Sequence, residues 1–203
     1  MKKHEQKRLG ERSSHTVTKM KTKRSLDKSI KLPEGVSAEV LPTKVTITGP
    51  NGSVSKIIAT KIISITLEGN VIHLKPKKRV SKNEKRIINT LHRIFSNAVQ
   101  GVNDKFVYKL KICSSHFPMS VKLNGKNFEV TNFMGEKIPR KLVIKEGVDA
   151  KLDGDIITIK SVDKELAGIV ATDIEKTTRR PAFDRRVFMD GIYLIEKAGV
   201  KLE

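Results

Sequence analysis

The feature that most constrains the fold of this chain is that it repeats itself. Val45, Ile47, Gly49, Asn51 and Val54 recur 76 positions later as Val121, Leu123, Gly125, Asn127 and Val130. The segment LEGNVIHLK from Leu67 recurs 85 positions later as LDGDIITIK from Leu152. One alternating β pattern is easily matched by chance, but here a hairpin, a second hairpin and a helix follow in the same order twice. That order reads as a tandem duplication, so the chain is expected to fold as two similar units.

Local chemistry says what each unit contains. Val45 and Ile47 alternate with Thr46 and Thr48, and Gly49-Pro50-Asn51-Gly52 then supplies a turn, which predicts an antiparallel hairpin. Glu68-Gly69-Asn70 turns between Ile63, Ile65, Leu67 and Val71, Ile72, Leu74 in the same manner. Ser81 and Glu84 have the spacing of a capping box, which satisfies free amides at a helix start. Ile87, Ile88, Leu91, Ile94, Phe95, Ala98 and Val99 then share one face, with His92 off it facing solvent and Gly101 as a C-terminal stop. In the second copy a helix is expected from about Lys164, with Leu166, Ala167, Val170, Ala171 and Ile174 inward.

The predicted class is therefore α+β, with two tandem similar domains, each a small, mostly antiparallel sheet packed with one helix. Their expected bounds are 31–104 and 105–203, behind a tail at 1–30. The offsets of 76 and 85 differ, so the second copy carries extra residues between its first hairpin and LDGDIITIK, where NFMGEKIPRKL (132–142) lies. Such an insertion is a natural place for the second copy to specialise.

Charge narrows the partner. The chain carries 41 Lys and Arg against 22 Asp and Glu, a formal net charge of +19. Self-repulsion of that size opposes compaction unless a polyanion neutralises it. Nucleic acid is the favoured partner, because each phosphate met by Lys or Arg releases a condensed counterion. An acidic membrane surface is the competitor. Residues 1–31 hold eleven basic and three acidic residues with no sustained apolar period, which reads as a disordered basic arm. The opening segment has no apolar signal core, no stretch approaches the roughly 20 apolar residues of a membrane span, and Cys113 is the lone cysteine. A cytosolic protein is expected, with Cys113 as a small buried hydrophobe on a strand.

The residue constellations that carry catalysis are missing from the sequence: it has no phosphate-cradling glycine loop, no HExxH and no second cysteine for a zinc site. Cys113 and His116 have the spacing of half a metal motif, with the other histidines scattered. The reading is of a non-enzyme without metal or cofactor. Binding signals are plentiful. Phe106, Tyr108, Leu110 and Ile112 alternate with Lys105, Lys109 and Lys111, which lays a basic stripe along one side of a strand. Further basic clusters occupy 75–86, 135–141 and 179–186. The last is pure arginine, whose planar fork meets phosphate bidentately and stacks on bases.

The segments YKLKICSSHFPMSVKLNGKNFEVTNFMGEKIPR and IEKTTRRPAFDRRVFMDGIYLIEK resemble the sixth universal protein of the large ribosomal subunit, in its archaeal and eukaryotic branch. The resemblance spans roughly residues 30 to 197, and the phrases HFP, NFxGEK, PR and RxFxDGIY occur in order. It implies two similar α/β domains, no catalytic activity, and a place on large-subunit rRNA near the sarcin-ricin loop and the stalk base, beside neighbouring ribosomal proteins. The second domain is the implied main RNA binder. Matching positions are His116, Phe117, Pro118, Asn132, Phe133, Gly135, Glu136, Lys137, Arg140, Arg186, Phe188, Asp190, Gly191 and Tyr193. The chain departs from the family's pattern at Lys176, at Arg180 and through Arg180-Pro181-Ala182-Phe183, and its tail reads as a lineage-specific extension.

The expected rRNA-binding set is Lys109, Lys111, His116, Lys137, Arg140, Lys141, Arg179, Arg180, Arg185 and Arg186. Within 179–193 the arginines are expected to face RNA, while Phe188, Gly191 and Tyr193 pin the segment to its domain. Reversing Arg185 and Arg186 together to Glu is expected to weaken rRNA binding more than the same reversal at Lys56 and Lys61. The expected partners are large-subunit rRNA and adjoining large-subunit proteins, with no membrane and no small-molecule substrate. A free nucleic-acid-binding module outside the ribosome is the alternative.

Overall fold

A computed structural model describes residues 26–202 apart from 59–61, 78–80, 116 and 185. The tail expected at 1–30 thus lies outside the described residues up to position 25. Its last residues do not behave as tail: Lys28–Lys31 form strand β1, with Ile30 buried in the core.

Six further elements complete the first half among the described residues. In the first half, β2 (Ser37–Val40), β3 (Lys44–Gly49) and β4 (Gly52–Ile57) form one antiparallel sheet. The hairpin β5 (Ile63–Glu68) and β6 (Val71–Pro76) joins β1 in the order β1-β6-β5. Helix α1 (Lys82–Asn103) packs on both sheets. It begins where the capping box places it: the Asn83 N–H donates to Ser81 Oγ at 3.2 Å and the Ser81 N–H to Glu84 Oε2 at 3.0 Å. Ile88, Leu91, Phe95 and Ala98 point inward with Val45, Ile47, Ile72 and Leu74. His92 is half-buried rather than fully solvent-facing.

Gly101 does not stop the helix, which continues to Asn103. A Cβ at Gly101 would lie 2.0 Å from the Val162 carbonyl oxygen and 2.7 Å from the Phe106 ring. Its missing side chain therefore serves close approach of α1 to the second half, a use of glycine that helix punctuation alone does not reveal.

The second half repeats the plan. Strands β7 (Phe106–Cys113), β8 (Ser120–Asn124) and β9 (Asn127–Thr131) lead into β10 (Arg140–Val143), β11 (Val148–Asp153), β12 (Ile156–Ser161), helix α2 (Lys164–Thr177), β13 (Gly191–Lys197) and β14 (Val200–Lys201). The hairpin β5-β6 and the hairpin β11-β12 are offset by the same 85 residues that separate LEGNVIHLK from LDGDIITIK. In each half the second strand of that hairpin pairs antiparallel with the strand that opens the half, β6 with β1 and β12 with β7. The class is α+β with repeated sheet-helix units, as the duplicated pattern predicts. Buried residues divide into two clusters, Ile30 to Val102 and Phe106 to Ile192.

The copies differ where the offsets differ. Residues 132–142 hold a 3₁₀ turn at Phe133–Gly135 and the start of β10, which pairs with β9. In the first half the third strand of the small sheet is β2, before the hairpin; in the second it is β10, after it. The C-terminal segment widens the other sheet to β11-β12-β7-β13-β14.

Between the halves, Lys56 Nζ lies 2.7 Å from Asp163 Oδ2 and 2.6 Å from Glu165 Oε2, at the start of α2. Burial pulls the Lys56 ammonium toward a lower pKa, yet its hydrogen bonds to the two carboxylates outweigh that and raise it above the ordinary lysine value. Within the first half, the Asn51 N–H donates to the Val102 carbonyl at 3.2 Å and ties the β3-β4 turn to the end of α1. Lys56 is therefore a tie between halves and not an ordinary surface lysine; Lys61 lies outside the described residues.

Candidate nucleic-acid interface

Three segments of the second half meet at one end: 114–119 after β7, 132–139 before β10, and 178–190 between α2 and β13. Each is tied to another by its own polar groups. The Asn132 side-chain amide donates to the Pro118 carbonyl at 3.0 Å. Asp190 accepts from both the backbone N–H and, at 2.9 Å, the hydroxyl of Ser115. The buried Thr178 hydroxyl accepts from the Ile192 N–H at 2.9 Å and fastens the end of α2 to the start of β13. A crevice between these segments is lined by Met134, Arg179, Arg180, Phe183, Phe188 and Tyr193 among others.

The organising side chain is Arg140. Its Nε and Nη2 donate to the two oxygens of Glu136 at 2.8 and 2.7 Å, and its Nη1 reaches the carbonyls of Thr177 at 2.7 Å and Arg179 at 3.4 Å. The guanidinium sits 4.5 Å over the centroid of Phe133, which is buried beneath it. A bidentate fork of this kind gives geometric specificity that a lysine cannot. The Arg140 hydrogen bonds hold the Glu136 carboxyl below the usual glutamate range, with Arg180 adding a weaker Coulombic pull. Arg140, expected to face RNA, is thus turned onto protein.

The remaining residues sort by what they touch. The Arg180 guanidinium lies 4.5 Å over the Phe183 ring, and Phe183 meets Phe188 edge-on with centroids 4.9 Å apart. Arg180 and Phe183, both in the stretch that departs from the family's pattern, therefore stack on each other. Phe188 is 44% exposed, so it holds the segment to itself through Phe183 rather than pinning it to the core; Phe133 does the anchoring. Gly191 has a φ of 154° in the region that favours glycine, with a Cβ there only 3.4 Å from the Tyr193 ring.

Arg179 and Lys137 are exposed and make no ion pair with a described residue. The Arg186 side chain is 92% exposed, with Asp184 Oδ1 3.5 Å from its Nε. These three belong to the joined segments. Lys141 stands on the small sheet, 3.7 Å from Glu129. Lys109 and Lys111 occupy the open face of the five-stranded sheet, as the alternation predicts, but Lys109 is paired with Glu196 at 2.8 Å. Lys111 is exposed beside its cross-strand neighbour Tyr193, at the edge of the joined segments. His116 and Arg185 lie outside the described residues. Cys113 is partly buried at the end of β7.

Sequence reasoning missed the apolar component of this end. Ile138 is 81% exposed, and Val187 and Met189 are also largely exposed, between the cations. Their signal is present as apolar residues within basic runs, Ile138 after Lys137 and Val187 after Arg186, and the sequence reading gives these three no role. Among the described residues no group of three or more His, Cys, Asp or Glu could hold a metal ion.

Fold and surface together define a class: duplicated, strongly basic α+β proteins that present a cationic, aromatic-studded end built from loops. Comparison with known proteins places the chain within it. A family model described as ribosomal protein L6 matches residues 117–191, a stretch that holds the second and third joined segments and the end of the first. The chain is 40% identical over 178 residues to large ribosomal subunit protein uL6 of Nanoarchaeum equitans, covering 84% of this chain and 92% of that protein. It is 38% identical over 173 residues to uL6 of Ignicoccus hospitalis, covering 81% and 91%. It is 37% identical over 174 residues to uL6 of Methanobrevibacter smithii, covering 85% and 97%. The chain belongs to the uL6 family of ribosomal proteins.

Proposed function

We propose that this chain is a structural, non-enzymatic constituent of the large ribosomal subunit and acts in translation in the cytoplasm, where it neutralises and organises large-subunit rRNA. The relatives named large ribosomal subunit protein uL6 support the ribosomal role. The finer placement, on rRNA near the sarcin-ricin loop and the stalk base with neighbouring subunit proteins, rests on the family resemblance. Its work is binding, and its help to subunit assembly follows from holding RNA segments together. The repeats at 31–104 and 105–203 serve as two domains, with the second as the main RNA binder.

One observation carries this reading: Lys111, Lys137, Arg179 and Arg186 stand exposed at one end of the second half, either without a carboxylate partner among the described residues or, for Arg186, with a loose one. Cations left unneutralised by their own protein are what phosphates recruit, and exposed aromatics beside them suit unstacked bases. No helix among the described residues is long and apolar enough to cross a membrane. Sedimentation of a native extract tests the role: the protein is expected to pellet with large subunits and to be released by high salt. Recovery in the soluble fraction at low salt, while subunits pellet, would favour a free nucleic-acid-binding module.

A further inference from the structure

We infer that Glu136 and Arg140 form a positioning pair that presents the 179–190 segment to RNA, so that a carboxylate strengthens binding to a polyanion. This rests on the proposed RNA contact of the second half and adds how that contact is held. Arg140 joins three pieces of chain: Glu136 beside the 3₁₀ turn, the Thr177 carbonyl at the end of α2, and the Arg179 carbonyl where the arginine-rich segment begins. Phe133 supports the guanidinium from below, and Arg180 Nη1 lies 4.0 Å from the same Glu136.

Among the described residues, the segment after Thr178 has few long-range ties before Asp190 besides this clamp. Its internal bonds, the Val187 and Phe188 N–H groups to the Asp184 carbonyl, are local. Without the clamp, Arg179 and Arg186 would have to be ordered at the moment of binding, which weakens affinity without removing a contact. Arg140 is a positioning residue here: its fork is occupied by protein and it need not touch RNA.

The two readings of Arg140 predict opposite signs. If it were a phosphate contact restrained by Glu136, then Glu136→Gln would free it, raise the net charge by one and tighten binding, while Arg140→Lys would be nearly neutral. The clamp predicts that both variants weaken binding although neither loses positive charge. Binding of the full chain to a transcript of its own large-subunit rRNA is to be measured across a salt series. Each variant is expected to bind about fivefold more weakly, a loss of about 1 kcal/mol. The slope of log K against log salt is expected to stay at its wild-type value, because the same phosphates are met and only the cost of ordering the segment is added.

Amide exchange of the RNA-free variants supplies a readout independent of RNA. Exchange at Val187 and Phe188 is expected to quicken while β12 keeps its protection. Affinity within twofold of wild type for either variant, tighter binding by Glu136→Gln, or unchanged exchange would overturn the clamp. Arg179→Glu with Arg186→Glu serves as the separate control. If that double reversal binds as well as wild type, the RNA contact itself fails, whatever the clamp variants do.

Discussion

Gly101 shows how far a single residue's role depends on what packs against it. Replacing an exposed helical glycine by alanine ordinarily stabilises, because alanine loses less backbone freedom on folding. At Gly101 the added methyl would meet the Val162 carbonyl oxygen and the Phe106 ring, so the sign reverses. Gly101→Ala is predicted to destabilise the protein by about 1–3 kcal/mol, a typical overpacking cost. Denaturant titration checks this, and an increase in stability would show that the halves meet less closely. Glu136 gives a pH counterpart. Its carboxyl is held below the usual glutamate value by Arg140, so its contribution is present above that value and fades as pH falls through the lowered one. Glu136→Gln is therefore expected to flatten the acid side of the stability profile below about pH 4.5.

At the scale of elements, most of the fold was legible because local and tertiary demands agree. The hairpin turns, the Ser81 capping box and the inward stripe of α1 lie where turn chemistry and periodicity put them. Ser81→Ala is predicted to cost about 1 kcal/mol, read as a lower thermal midpoint, because it leaves N-terminal amides of α1 without their acceptor. No measurable change would mean that water replaces the cap freely. What escaped the sequence were features set by distant partners. The insertion at 132–142 was visible as a length difference, but its new strand β10 was not, since Arg140 to Val143 pair only because β9 offers a free edge. Arg140 carried the right charge for RNA, and its turn toward Glu136 and Thr177 depends on where α2 ends. Likewise Lys56 looked like any surface lysine until folding brought it to Asp163 and Glu165, more than a hundred positions away.

Across the whole molecule, that same Lys56 joins the copies. Its ammonium and the two carboxylates are largely shielded on the Lys56 and Asp163 sides, so removing the cation leaves Asp163 with reduced compensation. Lys56→Ala is predicted to loosen the coupling of the halves, so that calorimetric unfolding broadens and its enthalpy exceeds the van't Hoff value. A single sharp transition like that of wild type would show that the Gly101 contact suffices. The duplication thus supplies two similar cores, while the second copy's insertion and widened sheet build the end that carries the exposed Arg179 and Arg186.

The central claim, that rRNA is met by this end and not by diffuse positive charge, has a direct test. Binding of the full chain to large-subunit rRNA is compared between Arg179→Glu with Arg186→Glu and a charge-matched pair in the first half, Lys31→Glu with Lys44→Glu, both at exposed positions. A localised interface predicts that the arginine reversal weakens binding by about a hundredfold, of the order expected for losing two charge-assisted contacts, while the lysine reversal costs a few fold. Equal losses from the two pairs would contradict it.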